Sequence, residues 1–251
     1  LFRAMGLEYR FVADGNDLPS VIEALQAVRD IDHPVVVHLV TEKGKGFAPA
    51  EAHKEEWHYC APFDRETFQP LMSTEGESWE SLTAGFMMKK MQADSSVCMI
   101  TSGTPTVLGF TEDKRRLAGR QFIDAGIAEE NAVALASGIA AAGGKPVYGV
   151  YSTFIQRTYD QLSQDLCINS SPATIIVAWA SIYGMNDVTH LGIYDIPMMS
   201  NIPNLVYLAP TNRDEYLAML DWSRTSIRSR SVCRLDRSRR PQSRSRRISA
   251  I

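Results

Sequence analysis

The sequence predicts an α/β fold, a parallel sheet with helices on both faces, and three observations carry that expectation. Apolar, β-branched runs such as Val97–Thr101 and Ala173–Ala180 suit strands buried on both faces. Segments with helical periodicity separate these runs, and strands alternating with helices at this spacing mean a helix-covered parallel sheet. The residues with the most chemical character, Glu129, Tyr151–Phe154 and Ser181–His190, each follow a strand. In such a sheet the carboxyl ends of the strands form one edge, where ligands bind.

Taken in order, Leu1–Gly6 reads as the end of a helix and Tyr9–Val12 as a short strand. Asp14-Gly15-Asn16-Asp17 is a turn. Asp17 caps a helix over Leu18–Arg29, with Pro19 in its first turn and Val21, Ile22, Leu25 and Val28 as its apolar face. Pro34–Val40 reads as a buried parallel strand. In Thr41–Glu51, Gly44 and Gly46 stand beside Lys43 and Lys45, a pattern that fits either a solvated turn or a close approach to a phosphate. His58, taken alone, is a surface-loop histidine.

Residues 65–77 read as a linker between a first segment, 1–64, and a second domain, 78–222. Ser78 caps a helix over Trp79–Gln92, Val97–Thr101 is a strand, Leu108–Leu117 is helical and Gln121–Ile123 is a short strand. A helix opens at Ala128 and stops at Gly143-Gly144. Pro146–Tyr151 is a strand, followed by a helix reaching about Ile168. Ala173–Ala180 is a buried strand, Ser181–Asp195 a long loop, Leu205–Ala209 a strand, and Thr211-x-x-Asp214 opens a helix through Trp222.

Asp124–Tyr159 organises the rest. Ala132, Leu135, Ala136, Ile139 and Ala140 follow the i, i+3, i+4 rule, and Glu129 extends that stripe. An acid in a first helical turn complements the helix dipole. One aimed at a core needs a hydrogen bond or a charge partner. Both readings stand for Glu129 at the level of sequence. Tyr151 and Phe154 read alone as core packing, and Arg157 as a surface ion pair.

The chain has 251 residues, 45% of them hydrophobic, ample for a core. No apolar run is long enough to span a bilayer and no signal peptide opens the chain, so the expected setting is cytoplasmic, with no membrane partner. Cys60, Cys98, Cys167 and Cys233 have no metal-ligand spacing and read as small packing residues in a reducing compartment. The formal net charge of −3 hides an asymmetry: residues 223–251 hold ten Arg and one acid, Asp236, a balance of +9 that leaves −12 on residues 1–222. That acidic body repels phosphates, which makes nucleic acid an unlikely partner. The Arg/Ser-rich stretch 223–251 is expected to form no packed element, either as a disordered basic arm or as the product of a shifted reading frame.

Ile127-Ala128-Glu129 ahead of an alanine-rich helix, followed by Tyr151-Ser152-Thr153-Phe154-Ile155-Gln156-Arg157-Thr158-Tyr159-Asp160-Gln161, resembles the 1-deoxy-D-xylulose-5-phosphate synthases, a transketolase-like group of thiamine diphosphate enzymes. The first 64 residues resemble the same group through Asp14-Gly15-Asn16-Asp17, Thr41–Glu51 and Trp57-His58-Tyr59. The resemblance implies a pyrimidine-binding domain over 78–222 and the end of a diphosphate-binding domain over 1–64. It implies a transferase condensing pyruvate with glyceraldehyde 3-phosphate, releasing carbon dioxide, with thiamine diphosphate and magnesium as cofactors and a homodimer as the assembly. It assigns Glu129 to the pyrimidine nitrogen, Phe154 to stacking on the pyrimidine, Tyr151 and Arg157 to the substrate phosphate, and His190 and His58 to catalysis, with Lys43 near the cofactor.

The sequence also departs from the family pattern. Glu130 and Asn131 stand where the family has glutamine and histidine, and Trp179 stands where it has an arginine that contacts phosphate. No residues here match the family's magnesium-binding motif, so the chain is expected to be an internal piece of a longer enzyme, inactive toward pyruvate alone. Two alternatives remain open: another transketolase-type enzyme or dehydrogenase β-subunit with a different acceptor, and a non-enzymatic, basic-tailed binding protein.

Overall fold

A computed structural model describes residues 1–60, 62–71, 76–181, 189–225 and 231–236. The chain divides into two compact units, Leu1–Glu75 and Gly76–Ile251.

In the first unit, strands β1 (Glu8–Val12) and β2 (Val35–Leu39) pair in parallel, joined by helix α1 (Leu18–Gln26). The Asp17 carboxylate accepts from the Ser20 amide at 3.0 Å, the capping interaction its position predicts. Leu1–Gly6 forms a 3₁₀ turn, Phe2–Met5, rather than the end of an α-helix. The expectation of a buried β2 is not met: its residues are half-buried or exposed, and Ile22 and Leu25 of α1 are exposed. Two strands and one helix present too little surface to enclose both faces of a sheet. Flanking the short helix α2 (Ala48–Ala52), Phe47 on one side and Trp57, Phe63 and Phe68 on the other form a cluster of edge-on and tilted rings, the closest pair being Trp57 and Phe63 at 4.9 Å. Lys43 and His58 are exposed on this unit.

The second unit holds, among the described residues, a six-stranded parallel sheet made of β3 (Val97–Thr101), β4 (Phe122–Asp124), β5 (Lys145–Tyr151), β6 (Thr174–Ala180), β7 (Val206–Leu208) and β8 (Ser231–Asp236). Their order is β4-β3-β5-β6-β8-β7. Helices α3 (Trp79–Ala93) and α8 (Arg213–Thr225) cover one face. The other face carries α5 (Glu129–Ala141), α6 (Tyr159–Gln161) running on into the π-helical Leu162–Ile168, and α7 (Asp195–Ser200).

Local sequence explains several of these elements. Ser78 and Ser81 form a reciprocal capping box at the start of α3. Asn212 accepts from the Glu215 amide while Glu215 reaches back to Thr211, so α8 opens on Asn212 and not on Thr211. The Gln121 side-chain amide lies within 3.0 Å of the Met91, Asp94 and Val97 carbonyls and ties the end of α3 to the start of β3. The expected helix over Leu108–Leu117 is replaced by a 3₁₀ turn, Pro105–Leu108, and a separate helix α4, Glu112–Ala118. Gly109 separates them at φ 72°, where an added Cβ would run into the Glu80 carbonyl oxygen and a side chain has no room.

The largest correction concerns the arginine-rich stretch. Far from forming no packed element, Ser231–Asp236 is strand β8, inserted between β6 and β7 and paired with both, with Leu235 buried. Helix α8 likewise continues past Trp222 to Thr225. Backbone pairing on both sides satisfies amides and carbonyls whatever the side chains are, and composition does not register that gain. Residues 237–251, to which the frame-shift and disorder expectations also applied, lie outside the described residues, as do 72–75 of the linker and 182–188 of the long loop.

Two measurements test the packing. The buried Thr83 hydroxyl donates to the Trp79 carbonyl at 2.6 Å, so the Tyr216 phenol, 2.7 Å away, is the donor in their shared bond. Tyr216→Phe is expected to cost about 1 kcal/mol, read as a lower urea midpoint with unchanged slope; an unchanged midpoint refutes the bond. Cys98 and Cys167 are buried, and burial pushes the Cys98 thiol up to about 11, whereas Cys60 is exposed, contrary to its expected packing role. Native-state alkylation is therefore expected to label Cys60 and spare Cys98 and Cys167; labelling of Cys98 at a rate like that of Cys60 contradicts this core.

Candidate active site

Because β3, β4, β5 and β6 are parallel, the segments leaving Thr101, Asp124, Tyr151 and Ala180 emerge on one edge of the sheet. Each segment has its own local reason to be held there. Asp124 accepts from the amides of Gly103 and Gly126 at 2.8 and 2.9 Å, fixing the turn that delivers the chain to α5.

Glu129 is the first residue of α5 and only 2% exposed. The stripe it extends faces the core as its spacing predicts: Ala132, Ala136 and Ala140 are buried, and Leu135 and Ile139 half-buried. Val133 and Ser137, outside the predicted stripe, are buried as well, because the π-helical stretch packs against that side of α5. The Glu129 carboxylate lies 3.4 Å from Nη1 of Arg157, whose Nε lies 3.0 Å from Glu130. Arg157 thus bridges both acids of the α5 first turn. The Glu130 carboxyl is held below its ordinary range, first by its own backbone N–H and then by the guanidinium.

Beneath this pair, the Tyr148 phenol and the Ser102 hydroxyl share a buried 2.8 Å hydrogen bond. Burial pushes the phenol well above its ordinary range, and the charges of Glu129 and Glu130 add to the shift, so Tyr148 stays neutral. Sequence reasoning passed over Ser102, Tyr148 and the Glu130 contact. Tyr148 carried a signal, a hydroxyl inside an otherwise apolar strand, where a buried phenol requires a partner.

At the exit of β5, the Tyr151 ring makes edge contacts with Phe154, Trp179 and His190, with centroids 5.6, 4.9 and 6.4 Å away. Phe154 and His190 are 5.4 Å apart. Thr153 donates to the Thr189 carbonyl at 3.0 Å, and the Thr189 hydroxyl lies 2.7 Å from Nδ1 of His190, which sets the ring's orientation. The structure therefore groups Tyr151, Phe154 and His190, and Arg157 with Glu129, on the same sheet edge. Lys43 and His58 lie on the first unit.

Trp179 reaches this group through a break in β6. Ile175 and Val177 pack toward α5, while Ile176 and Ala178 pack toward α3. Alternation sends residue 179 toward α5, yet Trp179 packs with the α3 side. Its φ of 55° and the 81° of Ser181 lie in the left-handed region, and between Val177 and Ala180 the pairing with β8 gains one extra residue on β6. This bulge re-aims the indole onto Tyr151, and Nε1 donates to Glu80 at 3.3 Å. A non-glycine residue held there costs about 1–2 kcal/mol.

Gly192 secures the returning chain. Its carbonyl accepts from the Ser181 amide at 2.8 Å, and a Cβ on it would lie 2.5 Å from Cα of Ala180 and 2.7 Å from the buried Ser152 hydroxyl. Gly192→Ala is expected to cost about 1–3 kcal/mol and to shift the His190 ring resonances in an NMR spectrum. Wild-type melting together with unmoved His190 signals would show that the 189–192 segment does not pack this way.

Comparison with known proteins bears on the family and the fold. The family model of the transketolase pyrimidine-binding domain matches residues 76–241, and that of 1-deoxy-D-xylulose-5-phosphate synthase matches residues 1–41. A 1-deoxy-D-xylulose-5-phosphate synthase of Desulforudis audaxviator is 36% identical over 223 residues, 88% of this chain and 34% of that protein. One from Clostridium perfringens is 37% identical over 222 residues, 88% and 36% of the two chains. The chain thus spans about a third of the length of these curated relatives. Among solved structures, a transketolase from Pichia stipitis aligns with TM-score 0.58 at 15% identity, covering 96% of this chain and 48% of that one. A split-gene transketolase aligns with TM-score 0.57 at 19% identity, covering 70% and 57%. The chain belongs to the family of the transketolase pyrimidine-binding domain and is similar, along most of its length, to the 1-deoxy-D-xylulose-5-phosphate synthases.

Proposed function

We propose that this chain supplies the pyrimidine-binding part of a thiamine diphosphate-dependent transferase of the 1-deoxy-D-xylulose-5-phosphate synthase kind. The reaction is the condensation of pyruvate with a phosphorylated aldehyde, glyceraldehyde 3-phosphate, with loss of carbon dioxide. The observation that carries this reading is a carboxylate, Glu129, buried at a helix start on the ligand-binding edge of a parallel sheet, in a chain whose residues 76–241 match the pyrimidine-binding domain.

The residues present fit the pyrimidine end of the cofactor. An aminopyrimidine asks for an acceptor shielded from water and an aromatic face, and Glu129 and Phe154 offer both. Bound there, thiamine diphosphate supplies the electron sink for cleaving the bond to the pyruvate carboxylate. Glu129 holds the proton of the pyrimidine ring nitrogen. Phe154 stacks on the ring and keeps water off it. Tyr151 and His190 lie beside Phe154, where they orient substrate, and His190 moves a proton to or from it. Lys43 and His58, which lie on the first unit, keep the roles of cofactor binding and catalysis respectively. Magnesium with the diphosphate, a homodimer and a cytoplasmic setting complete the proposal. Among the described residues no helix is long and apolar enough to cross a membrane.

A second reading, a transketolase-type enzyme with another acceptor, is favoured by Trp179 and by the engagement of Arg157 with two carboxylates.

The test is titration of the chain with thiamine diphosphate and magnesium, followed by NMR. Saturable shifts are expected at Phe154 and at the α5 amides. Glu129→Ala and Phe154→Ala are each expected to weaken binding at least about tenfold, roughly 1.4 kcal/mol. Equal affinity in wild type and Glu129→Ala would falsify the assignment of Glu129.

A further inference from the structure

We propose that Glu130 is a specificity-determining residue: it draws the Arg157 guanidinium onto the acids of α5 and so weakens the hold of this edge of the site on the phosphate of an acceptor. The inference deepens the function proposed above and rests on it for the word acceptor; its geometry stands by itself.

Arg157 is held between two carboxylates from adjacent residues, Nε against Glu130 at 3.0 Å and Nη1 against Glu129 at 3.4 Å. Arginine binds a phosphate best through two parallel N–H groups presented as a fork. Here the edge carrying Nε is directed at Glu130, so a phosphate must displace a carboxylate to use it. The three charges sum to −1, which repels an incoming anion. The partners differ in strength: Glu129 is buried and keeps its hold on Arg157 because a carboxylate out of water needs a charge partner. Glu130 is half-exposed, and it is the second acid, not the first, that takes the sum below zero.

Basic residues are sparse in the sequence of the loops at this edge. The stretches that follow β3, β4, β5 and β6, namely 102–111, 125–128, 152–158 and 181–194, contain Arg157 as their sole Lys or Arg. The indole beside Tyr151 is bonded to another carboxylate, Glu80. Glutamine at position 130 keeps the size of the side chain and removes one negative charge, leaving Arg157 balanced by Glu129 and its Nε edge held only by a neutral carbonyl, which an anion displaces more easily than a carboxylate.

Inorganic phosphate serves as the probe, titrated into the 251-residue chain while the Arg157 Nε–H signal is followed by NMR, with thermal melts confirming that each variant is folded. Wild type is expected to bind phosphate weakly at Arg157. Glu130→Gln is expected to bind about tenfold more tightly, and Glu130→Gln combined with Arg157→Met to lose that gain. The proposal is overturned by equal affinity in wild type and Glu130→Gln, which makes the pair an ordinary surface contact. It is also overturned by a gain that survives Arg157→Met, which places the phosphate elsewhere. The thiamine diphosphate titration decides the proposed function and the phosphate titration decides this inference, so either can fail while the other stands.

Discussion

A carboxylate taken out of water at the start of a helix constrains the whole second unit. Glu129 loses hydration that only charge and dipole replace. The first turn of α5 contributes its helix dipole, and Arg157 contributes a guanidinium at 3.4 Å. For Arg157 to arrive there, β5 must lie beside β3 and end at the same edge as β4, and the chain must turn at once through Ile155–Thr158. The small residues Ala132, Ala136 and Ala140 let α5 lie close enough to the sheet for this to happen. A costly group thus sits where a parallel sheet already gathers its loops.

The same edge stores backbone strain at Trp179. The bulge in β6 and the left-handed conformations on either side of Ala180 turn an indole from one face of the sheet to the other. What holds it is specific: the Tyr151 ring, the Glu80 carboxylate, and the return of the chain at Gly192, where no side chain fits. Strain with such compensation concentrates at sites where a side chain must be aimed rather than merely packed. Tyr151 is the shared contact, touching Trp179 on one side and Phe154 and His190 on the other, so the bulge and the candidate site form one packed unit.

Much of this was legible along the chain. Periodicity found the helix from Glu129, and apolar, β-branched runs found the strands at Val97 and Thr174, because burial of one stripe or both faces leaves a local pattern. Asp17 and Ser78 announced the starts of their helices because capping is settled within four residues. Glu129, Tyr151, Phe154, Arg157 and His190 were singled out through the family resemblance; taken alone, Glu129 also read as a helix-dipole acid, Tyr151 and Phe154 as core packing and Arg157 as a surface ion pair.

Other features had no local trace. Strand β8 lies in an arginine-rich run whose composition argues for disorder, and it is ordered by backbone hydrogen bonds to β6 and β7, which lie apart from it in sequence. The indole of Trp179 points away from the face that alternation assigns it, because one extra residue in pairing with β8 resets the register. Arg157 read alone as a surface ion pair and by resemblance as a phosphate ligand, and only the approach of α5, 27 residues earlier, put Glu130 against its Nε. The sequence by itself determined most of the elements, several of their caps and the residues with chemical potential, since those depend on neighbours along the chain. Tertiary structure decided which charges meet and which way the re-aimed side chain points, since electrostatics and packing act through space between residues the sequence keeps apart.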